Sequence, residues 1–461
     1  MGNVIGKVMP NTRIGEFQTG LDERVPVGLG DIVITGTGDT AIFARVIEVQ
    51  GDTKSQRTAV CRPLKLERLP AVPEDAVRLA SDEEVQRALH HGDGSKDGHD
   101  APLTIGTLLS GTATPIGLDP LEAVSKHVAI LAMTGAGKTF ACSILLQRLM
   151  ERGYPVIAFD LHGDYVNADV GITYDGNKKY KMKVLKGRPN LSKLSAKEFT
   201  ILSTILSEED VTPTQQKAYK EVHEKHPKED SLEFIEEAVG HVDQRSAGPI
   251  DRQAEKIAEE WEDVAGLPSW EVSDLLKSLK RGQGIVFDLQ ALSLPWTQFL
   301  VYLVTARAFK QRKKGDIPPL FLLIEEAHNF IPAPGPASLT SSGEKPWLYE
   351  IRRIAREGRK FGLGLGLVSQ RPSQIDPTVL SQCNTQIILR ITNPTDQAQI
   401  KRMAEQLDDD LGAKLSLLQT GQAIVCGSAV KSACIVNIDK HRGFPEGRAQ
   451  TNFFQDLKDN W

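Results

Sequence analysis

The chain has 461 residues, of which 40% are hydrophobic and 25% are charged, enough to bury a large core in two or three structural units. Apolar stretches such as 299–304 fall far short of the roughly 20 residues that span a bilayer, and the first residues contain no cleavable apolar segment, so we expect a cytoplasmic protein with no membrane partner. A net charge of -5 excludes a globally basic nucleic-acid binder, so DNA contact would need a local basic surface.

The cysteines and histidines predict no metal site. The 5 cysteines are scattered, without a C-x-x-C pair that could hold zinc or a redox disulfide, and we expect them to be buried thiols. His90, His91 and His99 stand among glycines and aspartates, a composition typical of a linker. We therefore assign no transition metal.

Residues 1–100 are predicted to form a small closed β-barrel followed by a linker. Short β-branched runs alternate there with Gly, Asp and Thr turns, which predicts strands over 4–8, 31–35, 42–49 and 58–64. A hairpin signal at 37–40 separates two of these strands. Residues 71–100 change to a mixed-charge helical stretch and then to the linker.

An α/β domain is predicted after residue 100, in two parts, 101–194 and 282–430. Short apolar runs alternate there with helical patterns, as in a parallel sheet covered by helices on both faces. Residues 195–281 interrupt this alternation with Glu, Lys, Ala and Leu at helical spacing and are predicted to be an inserted helical bundle. Residues 431–461 contain a last strand and a polar, aromatic tail, which is expected either to brace a neighbouring subunit or to fold back on its own chain.

A phosphate-binding loop is the strongest local signal. Residues 132–139 (Ala-Met-Thr-Gly-Ala-Gly-Lys-Thr) follow the apolar strand 128–131 and precede a helical run, the order that a P-loop requires. Loop N–H groups face the phosphates, the lysine reaches the β and γ oxygens, and the hydroxyl ligates Mg2+. ATP and Mg2+ are therefore the predicted cofactors. The predicted binding residues are Thr134, Gly135, Ala136, Gly137, Lys138, Thr139 and Phe140.

The loop departs from the full pattern at its first glycine. Ala132 occupies that position, and alanine fits there if its φ is negative. The departure weakens the match to the pattern more than it weakens the chemistry.

Two acids that end an apolar strand are predicted to complete the ATP site. Glu325 and Glu326 follow the run 320–324. Glu325, one methylene longer than the usual Asp, is expected to hold Mg2+ through water, and Glu326 to orient and deprotonate the attacking water. Paired acids at a strand end are a solvated edge in most proteins, but after a P-loop the catalytic interpretation is favoured.

Asp160 and Gln370 follow two further predicted strands. Ligands of open α/β sheets bind at the carboxyl ends of strands, so Asp160 is expected to contact the nucleotide. A structural turn held by its carboxylate is the alternative. Gln370 is expected beside the γ-phosphate, where an amide can sense the nucleotide state or position water.

A basic helix is predicted just before Gln370. Residues 352–360 carry arginines and a lysine on successive turns. Such a face is usually only solvated. In a ring ATPase, however, one or two of these arginines would cross the subunit interface as arginine fingers, an effect worth about 10^3 to 10^5 in rate.

These segments together resemble the HerA-type ATPases of the wider HerA/FtsK group. The resemblance rests on motifs in family order at 126–139, 159–165, 324–330 and 355–362, leading to 369–372. It implies an α/β fold with a RecA-like P-loop core, an N-terminal small β-barrel, a helical-bundle insertion and a C-terminal brace. It spans essentially the whole chain, with Ala132 for Gly and Glu325 for Asp as departures.

The resemblance also implies a function. HerA-type ATPases are homohexamers that hydrolyse ATP at subunit interfaces and drive double-stranded DNA through a central channel, and head-to-tail contacts close such a ring. The residues implied to act in cis are Lys138, Thr139, Asp160, Glu325, Glu326 and Gln370. Arg356 or Arg359 would come from the neighbouring subunit, and Lys126 would face nucleotide. The implied partner is a NurA-like nuclease or a defence effector such as a sirtuin-like protein, in DNA end processing or anti-phage defence.

The DNA-contacting residues are less defined by the resemblance. The basic run 178–181 and the Gly/Ser/Pro-rich segment 334–346 are candidates for contact with phosphates, and plain solvated loops are the alternative for each.

Other functions stay open. The chain could be an ATP-binding hexameric scaffold that assembles and activates an effector with little translocation, an alternative that Ala132 and Glu325 leave open. A conjugation or secretion ATPase of the same superfamily would commonly carry a membrane anchor. A small-molecule kinase would give the barrel and the basic helix no purpose.

Overall fold

The structure, a computed structural model, describes residues 4–10, 12–22, 24–51, 57–65, 70–89, 101–110, 114–165, 172–174, 178–180, 182–209, 211–242, 244–334 and 345–439. These residues divide into two compact units. Unit 1 comprises the described residues of Met1–Arg152 and Gly366–Lys440, and unit 2 those of Gly153–Leu365.

Unit 1 begins with a six-stranded antiparallel sheet of strand order β1-β6-β3-β4-β5-β2. Its strands are β1 (Val4–Lys7), β2 (Phe17–Leu21), β3 (Ile32–Thr35), β4 (Ile42–Gly51), β5 (Arg57–Pro63) and β6 (Ala76–Leu79). A bridge between Val8 and Thr19 joins its two edges, and a Cβ on Gly6 would lie 1.6 Å from the Gly20 carbonyl oxygen, so this approach requires glycine. The sheet is nearly closed around an apolar core, which confirms the small barrel.

Two strands of this barrel, β2 and β6, are not predicted from the sequence. The helical interpretation of residues 71–81 is wrong, because Ala76–Leu79 pairs with β1 and β3 and helix α1 (Asp82–Leu89) begins only afterwards. A strand of 4 residues is too short to show a period, and its partners are distant in sequence. The linker 90–100, with its three histidines, lies outside the described residues.

The first part of the unit 1 core leads to the phosphate-binding loop. It consists of β7 (Leu103–Leu108), β8 (Pro115–Leu118), α2 (Pro120–Ser125), β9 (Val128–Leu131) and α3 (Lys138–Glu151). Asp119 caps α2 by accepting the Glu122 N–H, and Pro120 occupies its first turn, where a missing N–H costs nothing. All four residues of β9 are buried, as expected for an inner strand of a parallel sheet.

Unit 2 contains a parallel sheet and a set of helices between its strands. The first elements are β10 (Val156–Asp160), β11 (Ile172–Tyr174), β12 (Lys178–Tyr180), β13 (Met182–Lys186), β14 (Arg188–Pro189), α4 (Ala196–Leu206), α5 (Pro213–Lys225), α6 (Gln244–Glu262), β15 (Ser269–Trp270) and α7 (Val272–Ser278). The later ones are β16 (Gly284–Asp288), α8 (Leu294–Lys314), β17 (Leu320–Ile324), α9 (Pro346–Phe361) and the start of β18 (Leu363–Ser369). Strands β13, β16, β10 and β17 neighbour one another in that order, all parallel.

Helices α4 to α7 fall in the segment 195–281 that the sequence predicts as helical. Ser195 with Glu198, and Thr212 with Gln215, form capping boxes at the starts of α4 and α5, each satisfying two backbone N–H groups that the helix leaves unpaired. These caps are the local reason why the helices begin where they do.

The second part of unit 1 adds strands on both sides of β9. Its elements are α10 (Pro377–Leu380), β19 (Thr385–Ile388), α11 (Pro394–Met403), α12 (Asp409–Lys414), β20 (Gln422–Gly427) and β21 (Cys434–Ile438). Strands β18 and β19 flank β9 in parallel, whereas β20, β21, β7 and β8 continue the sheet antiparallel. Residues 434–438 of the expected C-terminal brace are thus a strand of this sheet, and 440–461 lie outside the described residues.

The cysteines are buried thiols, as predicted. Burial raises the pKa of Cys61, Cys383, Cys426 and Cys434 to about 12, so these side chains are uncharged and unreactive at neutral pH. Within the part of the chain that the structure describes, no helix is both long and apolar enough to cross a membrane.

Candidate nucleotide-hydrolysis site

The phosphate loop, residues 132–139, connects β9 to α3. Gly135 and Gly137 have φ values of +76° and +104°, a left-handed backbone that favours glycine. Ala132 is not among the residues with positive φ, so alanine replaces the usual glycine there without backbone strain. Lys138, Thr139 and Phe140 form the first turn of α3, where the N–H groups and the helix dipole favour a bound phosphate.

Backbone hydrogen bonds hold the phosphate loop from two sides. The Ala132 N–H donates to the Ser369 carbonyl oxygen over 3.2 Å, and the Met133 N–H donates to the Arg390 carbonyl oxygen over 3.0 Å. On the other side, the Gly421 N–H donates to the Ala136 carbonyl oxygen over 3.0 Å.

The turn before β20 is a part of the site that the sequence did not reveal. The Thr420 hydroxyl donates to the Gly135 carbonyl oxygen over 3.3 Å, next to the Gly421 bond. Because C=O and N–H point in opposite directions across a trans peptide, the Gly421 bond directs the Gly137 N–H away from this turn. Thr420 and Gly421 thereby orient the N–H groups of the loop, although no pattern in the sequence connects them to it.

Gln370 lies beside the phosphate loop, at the end of β18. The Thr134 hydroxyl donates to its side-chain amide oxygen. Thr134 is exposed and Lys138 is 9% exposed. The structure therefore brings together two of the residues that the sequence assigned to the ATP site separately.

The carboxylate cluster, Asp160, Tyr165, Glu325 and Glu326, belongs to unit 2. Strands β10 and β17 run parallel with Phe159 opposite Ile324, so Asp160 and Glu325 follow at the same edge of the sheet. Glu325 is 0% exposed and Glu326 is 4% exposed. These acids are not the solvated edge that such pairs usually form.

Glu326 has a strained backbone and two histidine neighbours. Its φ of +43° and ψ of +49° are left-handed, which costs a residue with a side chain about 1–2 kcal/mol and is a feature that clusters at active sites. His162 Nε2 lies 3.8 Å from Glu326 Oε1, and His328 Nδ1 lies 3.5 Å from Oε2. This backbone conformation sets the direction of the Glu326 side chain, and the packing of the rest of unit 2 must offset the strain.

The surroundings of Asp160 fit the structural turn that the sequence gives as the alternative to nucleotide contact. Asp160 is 0% exposed, and its two oxygens accept the N–H groups of the residues that follow it. The donors are His162, Gly163 and Asp164 on Oδ1, and Tyr165 on Oδ2. Burial raises the pKa of Asp160, and the N–H donors oppose that shift. Asp160 holds a turn, the alternative that the sequence left open.

Lys126 is also placed differently from the expectation. It caps the C-terminus of α2, and its Nζ pairs with Glu122 Oε2 at 2.6 Å. Lys126 precedes β9 whereas the phosphate loop follows it, so four residues of extended chain, about 13 Å, separate them. Lys126 is therefore not at the phosphate loop of its own chain.

The arginines of α9 differ in how far they are engaged. Arg353 pairs with Glu350 Oε2 at 3.2 Å and stacks on the Phe309 ring at 4.0 Å, so it is a structural residue of unit 2. Arg356 and Arg359 are exposed, and neither forms an ion pair with another described residue of the chain.

The chain matches known proteins over most of its length. Residues 103–308 match the family description "Helicase HerA, central domain", and residues 217–441 match "Helicase HerA-like C-terminal". The DNA double-strand break repair helicase HerA of Sulfolobus acidocaldarius is 32% identical over 402 residues, covering 81% of this chain and 75% of that protein. The probable DNA double-strand break repair helicase HerA of Methanocaldococcus jannaschii is 31% identical over 439 residues, covering 83% of each.

Solved structures with a similar fold include a plasmid coupling protein and VirB4. The plasmid coupling protein TrwB, in complex with ADP and Mg2+, has a TM-score of 0.55 at 14% identity, covering 80% of this chain and 94% of that one. VirB4 of Thermoanaerobacter pseudethanolicus has a TM-score of 0.54 at 15% identity, covering 77% and 99%. At such identity the likeness shows a shared fold, which agrees with the predicted α/β P-loop core.

Proposed function

This chain belongs to the HerA helicase family, and from this premise we propose that it is a ring-forming motor that uses ATP to move double-stranded DNA. Membership makes it an ATP hydrolase of the helicase and translocase type. The observation that carries the proposal is the phosphate loop, whose left-handed glycines and helix start form a phosphate cradle. A nuclease or another effector protein is the proposed partner, in DNA end processing or anti-phage defence.

The residues of the phosphate loop and the carboxylate cluster take different parts in the proposed hydrolysis. Lys138 and the N–H groups at the start of α3 bind the phosphates. Bound Mg2+ would neutralise phosphate charge, and the Thr139 hydroxyl and the Glu325 carboxylate are hard oxygen ligands of the kind that it prefers. Glu326 takes a proton from the attacking water, and Gln370 responds to the γ-phosphate.

In this proposal, a neighbouring subunit of the ring supplies a further positive charge to the ATP site. Arg356 and Arg359 are exposed on α9, and we propose that one of them reaches the ATP of the neighbouring subunit in a homohexamer. An arginine finger of this kind raises the rate by about 10^3 to 10^5.

DNA contact requires a local basic surface in a chain of net charge -5. The side chains of 178–180 are not described, and Lys181 and residues 335–344 lie outside the described residues. The described part of unit 2 offers another candidate, a cavity of about 1020 Å3. Its exposed lysines, here called the lysine rim, are Lys193, Lys197, Lys277, Lys310, Lys313 and Lys314.

The lysine rim is the uncompensated part of that cavity. The acids Glu198 and Glu271 both pair with Arg307, at 3.0 and 2.5 Å. None of the rim lysines forms an ion pair with another described residue. A cluster of unpaired cations on an acidic chain fits the phosphate backbone of DNA.

Charge reversal tests the lysine rim. We expect Lys313→Glu with Lys314→Glu to weaken duplex DNA binding and to lower the slope of log affinity against log salt by about 1 per lost phosphate contact. The matched control is Lys217→Glu with Lys220→Glu on α5, where both lysines are already paired at 3.5 Å with glutamates. Fluorescence anisotropy over a salt series measures the effect, and equal losses in the two double variants would remove the rim from the DNA path.

The proposed function itself is tested by steady-state ATP hydrolysis with and without linear duplex DNA, in low and moderate salt. We expect DNA to stimulate hydrolysis by the wild type, and Glu326→Gln and Arg359→Ala to abolish it. ATP binding with negligible hydrolysis, or hydrolysis indifferent to DNA, would instead favour a scaffold that assembles an effector.

A further inference from the structure

We propose that Tyr165 is a positioning residue, which holds the Glu325 carboxylate in the orientation that the metal-bound nucleotide requires. The inference rests on the proposed function in one respect, since Glu325 is taken as the acid on the Mg2+ side. It assigns a purpose to the turn 160–165, which contains no residue that the proposed hydrolysis uses directly.

The turn is folded around the Asp160 carboxylate. Oδ1 accepts the N–H groups of His162, Gly163 and Asp164 over 3.2, 2.8 and 3.1 Å, and Oδ2 accepts the Tyr165 N–H over 2.9 Å. A buried carboxylate with this many donors makes the turn rigid, because breaking it would leave a charge without compensation. The position of the Tyr165 backbone is thereby fixed relative to the end of β10.

The chain around the turn adds two further restraints. Gly163 has a φ of +75°, which lets the backbone reverse there at no steric cost. The Gln290 side-chain amide donates to the His162 carbonyl oxygen over 2.9 Å, and the Leu289 N–H donates to the Asp160 carbonyl oxygen over 2.9 Å. The turn is therefore fastened to the segment that follows β16.

Tyr165 carries this rigidity to Glu325. Its side chain is 1% exposed, and its hydroxyl donates to Glu325 Oε1 over 2.8 Å. Glu325 is 0% exposed, so the bond lies where the dielectric constant is low and a hydrogen bond is electrostatically stronger than in water. A glutamate has one more rotatable bond than the usual aspartate, and the tyrosine restrains that extra freedom.

Partners that orient a metal ligand typically change metal affinity by about 10- to 100-fold when they are removed. Tyr165→Phe keeps the ring and removes only the donor. We expect it to weaken the binding of a divalent cation in the ADP complex roughly tenfold, the lower end of that range. ADP affinity without a cation should not change.

The experiment is a Mn2+ titration of the full-length protein with ADP, followed by electron paramagnetic resonance, in which Mn2+ stands in for Mg2+. The matched control is Tyr219→Phe, which removes another buried hydroxyl, one that donates to Gln253 Oε1 over 3.0 Å. We expect weaker Mn2+ binding in Tyr165→Phe and wild-type binding in Tyr219→Phe. A second variant, Asp160→Asn, replaces one acceptor oxygen of the turn with an NH2 donor and should lower Mn2+ affinity in the same direction.

Wild-type Mn2+ affinity in both Tyr165→Phe and Asp160→Asn would overturn the inference while leaving the proposed function intact. An equal loss in Tyr219→Phe would also overturn it, because the effect would then reflect a buried hydroxyl in general. If the wild-type protein bound no Mn2+ with ADP, the proposed function would fail first, and the inference with it.

Discussion

The phosphate loop and the carboxylate cluster are built by different means. The phosphate loop is defined by its backbone. Its conformation depends on two left-handed glycines and on backbone hydrogen bonds with Ser369, Arg390 and Gly421. The carboxylate cluster is defined by its side chains. They are almost completely buried, and their partners come from other strands and turns. The first region requires glycines at fixed spacings within one motif, whereas the second consists of side chains brought together from distant parts of the chain.

This difference teaches which kind of site a sequence can reveal. A backbone site needs particular residues at fixed spacings, because only glycine adopts certain φ values without strain. A side-chain cluster needs partners that can come from anywhere in the chain. The sequence predicts the phosphate loop residue by residue, whereas in the carboxylate cluster it gives Tyr165 no role and leaves two roles open for Asp160.

The largest expected effect is on the rate of hydrolysis, and it distinguishes the function of the carboxylate cluster from that of the phosphate loop. Glu326→Gln should lower kcat about 10^3-fold, as expected when a general base is lost, and leave the Kd for ATP within about threefold of the wild type. Lys138→Ala should weaken ATP binding itself, because its charge contacts the phosphates. Single-turnover hydrolysis and ATP titration measure the two quantities. If Glu326→Gln lost binding as Lys138→Ala does, the division of labour between the regions would be refuted.

A smaller effect tests whether backbone geometry governs the phosphate loop. Gly137→Ala places a Cβ 3.3 Å from the Gly421 nitrogen at a φ of +104°, whereas Gly135→Ala meets nothing within 4 Å at a φ of +76°. Both carry the left-handed penalty of about 1–2 kcal/mol, but only Gly137→Ala also displaces the turn before β20. We expect nucleotide affinity to fall by roughly another tenfold in Gly137→Ala, which corresponds to about 1.4 kcal/mol.

A titration with fluorescent ADP compares the two glycine variants directly. Equal affinities would mean that the contact with Gly421 does not constrain the loop. The comparison also controls for the general cost of alanine at positive φ, since that cost is common to both.

The smallest effect concerns the hydroxyl that reaches the phosphate loop from outside. Thr420→Val removes the bond to the Gly135 carbonyl oxygen and should weaken nucleotide binding about threefold to tenfold, the contribution of one neutral hydrogen bond. Thr40→Val is the control, since its hydroxyl makes a similar bond to the Thr37 carbonyl oxygen in the barrel. Calorimetry of ADP binding resolves a difference of this size, and identical behaviour of the two variants would leave Thr420 without a role at the loop.

The barrel shows the same difference between a structure specified by neighbouring residues and one that depends on distant partners. The hairpin at 37–40 was predicted, and β3 and β4 pair across it, because turn residues specify a local reversal. Strand β6 was missed, because Ala76–Leu79 becomes a strand only by pairing with β1 and β3. Its four residues show no clear period, so nothing within the segment distinguishes it from a helix.

For Tyr165 and Thr420 the signal in the sequence was weak or missing. The spacing of Asp160 and Gly163 is compatible with a turn held by the aspartate, and that alternative was recognised. The hydroxyl contact with Glu325 joins residues 160 positions apart, and the contact between Thr420 and Gly135 joins residues 285 positions apart. No rule based on residue spacing predicts a contact between residues so far apart in the chain.

The order of apolar runs, glycines and acids along the chain was sufficient for the P-loop α/β class, the barrel and the position of the phosphate loop, because these follow from local backbone geometry and hydrophobic period. The family came from the resemblance of the motifs to those of HerA-type ATPases. Burial and partner choice were settled only by the folded chain: that Asp160 holds a turn, that Lys126 pairs with Glu122, and that Tyr165 and Thr420 donate to Glu325 and Gly135. A hydrogen bond between distant residues depends on where strands and turns place the donor and acceptor in space, and this information is spread over the whole chain rather than over any motif.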